Sequence, residues 1–241
     1  MGYIPVSSAL YVFNAIACIW FGFRALKSYK KTGNEYSLMF VHVGFGAGLG
    51  FLWDGVPVLI TTKSSVLGFS VVVGIVFTVW GLVQSSRVAL RAWGAMRAER
   101  VIFYLMPALT IFYVTAQLMY LPMPDILQYG VINWNILFPF NLFFSLLITP
   151  LAVITGIFLF ISKTESQKAV VKKTLFSVTF VIGGLTGGIG VIWAHGFMPL
   201  LASYITMAFG FLMLYIMIFV DFLMSEEKTA ATKTQVFASK K

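Results

Sequence analysis

Two ionisable residues sit where an apolar chain has little reason to carry them. Asp54 follows Trp53 at the end of "GFGAGLGFLWDG", and His195 follows Trp193 at the end of "GGLTGGIGVIWAHG". An acid and an imidazole at matching places could face each other across an outer mouth and hold a ligand there. His42 and Asp221 form a second candidate pair, in the second and seventh apolar stretches, and Asp221 could instead pair with Arg24. Asn14, Gln84, Gln117 and Asn141 are neutral polar residues in apolar surroundings, suited to interhelical hydrogen bonds of about 0.6–2 kcal/mol or to lining a cavity.

The rest of the catalytic repertoire is thin. One cysteine, Cys18, and two histidines leave too few ligands for a zinc or iron–sulfur site, so no metal is expected. His42 and His195 lie toward opposite faces and do not suit a bis-histidine haem. The seventh apolar stretch has no lysine for a retinal Schiff base. No nucleophile–base–acid set appears. The expectation is a protein without catalytic residues and without a cofactor.

The elements that must position these residues are apolar helices. Hydrophobic residues make up 59% of the chain and charged residues only 10%, too few to cover a water-facing surface. Mean hydropathy is +0.91. Seven apolar segments are each long enough to cross about 30 Å of hydrocarbon. They are Pro5–Phe23, Leu38–Ile60, Val66–Ser86, Val101–Leu121, Ile136–Ile161, Thr174–Trp193 and Phe197–Met224. Backbone groups in lipid must be satisfied within the segment, so the fold class is all-α, a polytopic seven-transmembrane helical bundle.

The net charge of +9 does not mark a nucleic-acid binder, because the cations are sorted by loop. They fall after the first, third and fifth segments and in the tail. Only Lys63 falls on the opposite side, beside Asp54 and Asp125. The positive-inside rule then places the N-terminus outside and the C-terminus in the cytoplasm of a multi-pass protein, with the plasma membrane as the expected location. The basic inner loops are expected to touch anionic lipid headgroups of the bilayer and could hold a cytoplasmic protein partner. Trp53, Trp134 and Trp193 are expected in an outer aromatic belt, and Trp20 and Trp80 in an inner one.

The chain also echoes itself. At an offset of 140 residues, seven of the 17 positions from Ser37 to Trp53 are identical, among them Gly44/Gly184, Gly48/Gly188, Gly50/Gly190 and Trp53/Trp193. At an offset of 142, Pro57 meets Pro199 and Gly68-Phe69 meets Gly210-Phe211. This predicts a parallel 3+1+3 internal repeat within a transmembrane domain over residues 1–224. Repeat A covers about 5–86, a linker helix about 101–121 and repeat B about 136–224; a basic cytoplasmic tail without fixed structure follows over 225–241. The glycines are spaced to let helix backbones approach closely or to let helices flex. Pro107, Pro139 and Pro150 are expected to interrupt helices four and five, which makes the fifth the bent or moving element.

Two functions fit this reading. The layout resembles the seven-span input modules of some bacterial histidine kinases, which implies a sensor or receptor-like or accessory module without its own output, relaying to a partner through Arg91, Arg97 and Arg100. The alternative is a small-molecule transporter or uniporter. Parallel repeats occur in SWEET-type transporters, although no proline–glutamine pair of the PQ-loop type is present here.

Overall fold

The computed structural model describes the backbone of residues 4–162 and 167–238, and side chains for residues 4–162 and 170–219. Seven long helices account for nearly all of it. They are α1 (Val6–Thr32), α2 (Glu35–Ile60), α3 (Ser64–Ala92), α4 (Met96–Met119), α5 (Phe140–Ile161), α6 (Gln167–Leu185) and α7 (Phe197–Ala238). A π-helical turn, Thr186–Gly190, and a last α-turn, Val191–Trp193, extend α6. The chain thus has seven helices long and apolar enough to cross a membrane, as expected of a multi-pass membrane protein. The expected tail over 225–241 and the side chain of Asp221 fall outside the described side chains.

The helices outlast the hydropathy pattern. α1 runs to Thr32 rather than Phe23, and α3 to Ala92 rather than Ser86. Arg24, Lys27 and Arg87 therefore sit on helical extensions, not in loops. Hydropathy ends where hydrocarbon ends, but intrahelical hydrogen bonds continue, and long basic side chains carry their charge to the headgroup layer. α1 stops at Gly33, whose φ of 64° is the left-handed cap that glycine adopts without strain. Asn34 then caps α2, its Oδ1 accepting from the Tyr36 N–H at 2.8 Å. With so short a link, α1 and α2 must run antiparallel, and the same holds for α2 with α3 and α3 with α4.

Packing closes six of the helices into a ring. α1 packs on α2, α2 on α3, α3 on α5, α5 on α6, α6 on α7, and α7 returns to α1. α4 leans on α3 from outside and is the least buried helix. α2 and α6 are the middle helices of the two flanks. Their glycines set the spacing. Those of α2 split by face: a Cβ on Gly44 would lie 2.5 Å from the Gly22 Cα of α1, and one on Gly46 would lie 2.8 Å from the Gly81 nitrogen of α3. Gly48 follows Gly44 toward α1, and Gly50 follows Gly46 toward α3. Alternate glycines thus let α2 lie close between two neighbours. In lipid this closeness supplies the dispersion contacts that a hydrophobic drive cannot.

Among the described residues, 120–139 form the longest segment outside the helices. β1 (Asp125–Ile126) pairs antiparallel with β2 (Ile132–Asn133), and the segment folds down onto one end of the ring. The covered end is the hairpin end, and the opposite one, carrying Arg24 and Arg87, is the basic end. Pro139 lies in this segment as the N-cap of α5, so only Pro150 interrupts that helix, contrary to the expectation of two interruptions. Pro107 lies inside α4 as expected.

Candidate functional site: stacked cavities along the ring axis

The ring encloses a central cavity of about 110 Å³, with walls from all six helices. Its lining is almost wholly apolar, including Phe51, Phe180, Phe211 and Met207. Gly183 and Gly187 of α6 also line it. A Cβ at either position would meet only ordinary contacts, Phe211 at 3.5 Å and the Met207 sulfur at 3.7 Å, so these two glycines leave room rather than close a gap. Gly184 and Gly188 turn instead to α5, where an added Cβ would meet Ala152 and Thr149, and Gly190 turns to Ser203 of α7. The π-turn falls on this stretch, where the helix has the least side-chain reinforcement.

A second cavity of about 60 Å³ lies toward the hairpin end. It shares Phe51, Thr78, Gly187 and Met207 with the first. Asp54 lines it, together with Tyr11, Trp134 and Phe144. The residue as a whole keeps some exposure, but its Oδ1 is sealed from solvent and has no hydrogen-bond partner. An added Cβ at Gly74 of α3 would collide with that oxygen, so Gly74 is what admits the carboxylate.

The hairpin segment plugs the ring above Asp54. Trp134 is buried and its Nε1–H donates to the Tyr11 hydroxyl at 2.8 Å. The Ile132 N–H donates to Ser7 Oγ at 2.8 Å, and the Tyr204 hydroxyl donates to the Ile132 carbonyl at 2.9 Å. Ser8 Oγ donates to the Gly55 carbonyl. Trp134 is therefore not a belt residue at the lipid interface, as expected from its place in sequence. Its indole fills the plug because the hairpin carries it inward and Tyr11 satisfies its only donor.

At the basic end a groove of about 400 Å³ shares Phe21 and Phe176 with the central cavity. Phe21, Phe40 and Phe176 pack pairwise with centroids 5.2–5.7 Å apart, and Phe180 lies 4.9 Å from Phe176. These rings separate the two spaces. Arg24, Lys172 and Lys173 line the groove. Arg24 Nη1 donates to the Ile218 carbonyl at 2.7 Å, and Lys173 Nζ to the Ser162 carbonyl.

No family model, curated protein or solved structure matches the chain.

The remaining sequence candidates are placed as follows. His195 is exposed in the link between α6 and α7 and lines neither axial cavity, so it does not face Asp54 there. The reason is local: α2 continues helical to Ile60 and aims Asp54 inward, whereas α6 ends at Trp193. Trp53 and Trp193 are both well exposed; Trp193 Nε1 donates to Ser145 Oγ at 2.7 Å. His42 is half-buried and stands edge-on to Trp80, with ring centres 5.9 Å apart. Asn14 and Gln117 are buried with neither amide atom partnered, and Asn141 accepts from the Leu142 N–H in the first turn of α5. Gln84 accepts from Arg87, which with Arg91 holds the buried Glu99. Among the described residues no group of three or more His, Cys, Asp or Glu is arranged to hold a metal ion.

Sequence reasoning missed Tyr11, Tyr204, Ser7 and Glu99. Ser7, Ser8 and Tyr11 at three- and four-residue spacing on one helix face were a usable signal. Tyr204 gave none, since its partner lies 72 residues away.

Proposed function

We propose that the chain is a membrane transport protein for a small organic solute that moves along the ring axis. One observation carries this reading: three spaces follow one another from the plug to the basic end, and each shares wall residues with the next. In a packed helical bundle voids larger than a water molecule are few, so an aligned series calls for a use. The central space lies between the flank α1–α3 and the flank α5–α7, the seam at which repeat-built transporters hold their solute.

The parallel repeat belongs to the same reading. Gly44 and Gly48 face the first helix of their flank and Gly50 the third; Gly184, Gly188 and Gly190 face the corresponding helices of the other. α4, the linker expected to stand apart, lies outside the ring. The orientation follows the charge rule, with the hairpin end outside and the basic end in the cytoplasm against anionic headgroups.

Access alternates by parting the plug or the phenylalanine cluster, with Gly183 and Gly187 as the yielding part of α6. Reconstitution into liposomes tests the reading. Saturable uptake of a small organic solute is expected, and Gly187→Leu, which fills the central cavity, should abolish it while leaving the melting profile near wild type. Gly48→Leu and Gly188→Leu are poorer probes, because those positions face neighbouring helices and would damage packing. Absence of saturable flux across cationic, neutral and anionic solute panels would overturn the proposal.

The sensor reading has its own support. Tyr204 ties the plug to α7, and α7 continues to Ala238 at the opposite end. A ligand that disturbs the plug could move that helix against a cytoplasmic partner. Ligand binding without flux would favour it.

A further inference from the structure

We propose that Asp54 binds the ammonium group of a small organic cation whose apolar body lies in the central cavity. The proposal rests on reading the axial cavities as a solute site, and adds the solute's chemical class.

Oδ1 of Asp54 is buried with no donor in reach. No lysine, arginine or histidine lines the cavity that Asp54 borders. A buried carboxylate without a partner is costly, and the chain makes room for it by placing Gly74 opposite. The missing partner is therefore a donor or a positive charge from outside the protein. The surrounding walls select the charge. Tyr11, Phe51, Trp134 and Phe144 line the same space, and the Tyr11 ring lies 6.0 Å from Phe51 and 6.1 Å from Trp134. Aromatic faces carry negative quadrupole potential, and rings gathered around a carboxylate favour an ammonium or alkylammonium head. A bare metal cation would want several oxygens, and this wall offers few.

The second cavity shares Phe51, Thr78, Gly187 and Met207 with the first, so a ligand seated at Asp54 has the apolar central cavity beside it. The ligand is thus charged at one end and apolar at the other.

Titration of the purified full chain with alkylammonium ions from methyl to hexyl, followed by calorimetry, tests this. Affinity should rise about three- to fourfold per added methylene, as burial of each one in an apolar space implies. Hexanol should bind at least tenfold more weakly than hexylammonium, and hexanoate not at all. Asp54→Asn, close to isosteric, should cost at least tenfold for the amine and little for the alcohol. Equal binding of amine and alcohol by the wild type would overturn the proposal, a comparison that does not depend on any variant folding. Retention of amine binding by a folded Asp54→Asn chain, or displacement of the amine by sodium alone, would overturn it as well. Amine binding without uptake would remove the transport reading and leave this site standing. Uptake of neutral solutes without amine binding would do the reverse.

Discussion

Trp134 and Tyr11 are 123 residues apart in sequence, yet the indole N–H of one donates to the hydroxyl of the other at 2.8 Å inside the ring. This bond fastens the hairpin segment to the first helix directly above Asp54. The plug is thereby part of the core, since Val131 and Ile132 beside it are completely buried.

Removing the indole should open that end. Trp134→Ala is expected to cost about 3–5 kcal/mol of stability, as large buried aromatics do. Trp134→Phe keeps most of the packing and forfeits the hydrogen bond, for about 0.5–1.5 kcal/mol. Thermal unfolding in detergent should rank the two variants in that order; equal losses would mean that the bond, not the packing of the ring, is all that matters.

Glycine substitutions should divide by what each glycine faces. Gly44→Ala pushes a methyl group against the Gly22 backbone and should destabilise by about 1–3 kcal/mol. Gly183→Ala meets only the edge of Phe211 at 3.5 Å and should be neutral or gain up to about 1 kcal/mol from helix propensity. Melting curves of the two variants side by side decide this.

Orientation has a direct chemical readout. Cys18 is buried, so the wild-type chain serves as a blank for a membrane-impermeant maleimide. Lys63→Cys, in the link between α2 and α3, and Arg97→Cys, in the first turn of α4, both introduce thiols at exposed positions at opposite ends of the bundle. In intact cells the first variant should label at once and the second only after permeabilisation. The reverse pattern would invert the map.

The two carboxylates of the basic-end network should differ sharply. Glu99 is buried and accepts from Arg87 at 2.6 Å and from Arg91 at 3.3 Å. Glu99→Gln should cost about 1.5–3 kcal/mol through its charge-assisted bonds. Glu35, whose side chain is 77% exposed, also meets Arg91. Glu35→Gln should cost no more than about 1 kcal/mol, and that cost should fade with salt. Melting temperatures at low and high ionic strength check both.

The sequence by itself determined the seven helices, because spans of apolar residues report directly on a local requirement, that each backbone satisfy itself in lipid. It also drew attention to glycines at helix-packing spacing, without telling those that face a neighbouring helix from Gly183 and Gly187, which face the central cavity. Gly44, Gly48, Gly184 and Gly188 announce helix contacts through their spacing, and the structure gives each a backbone or side-chain neighbour. Asp54 stood out for the same local reason, a charge in an apolar run. What became of these residues was decided only in three dimensions. Nothing near Asp54 in sequence shows that it lines one cavity with Tyr11 and Trp134, or that His195 stays outside. Trp134 reads locally as an interfacial tryptophan, and Pro139 as a break within a helix. Each acquires its role from the way residues 120–139 fold back onto α1 and α7. Hydropathy measures the preference of a residue for lipid over water. It is blind to the preference for the interior of a bundle over lipid, which depends on partners supplied by distant parts of the chain.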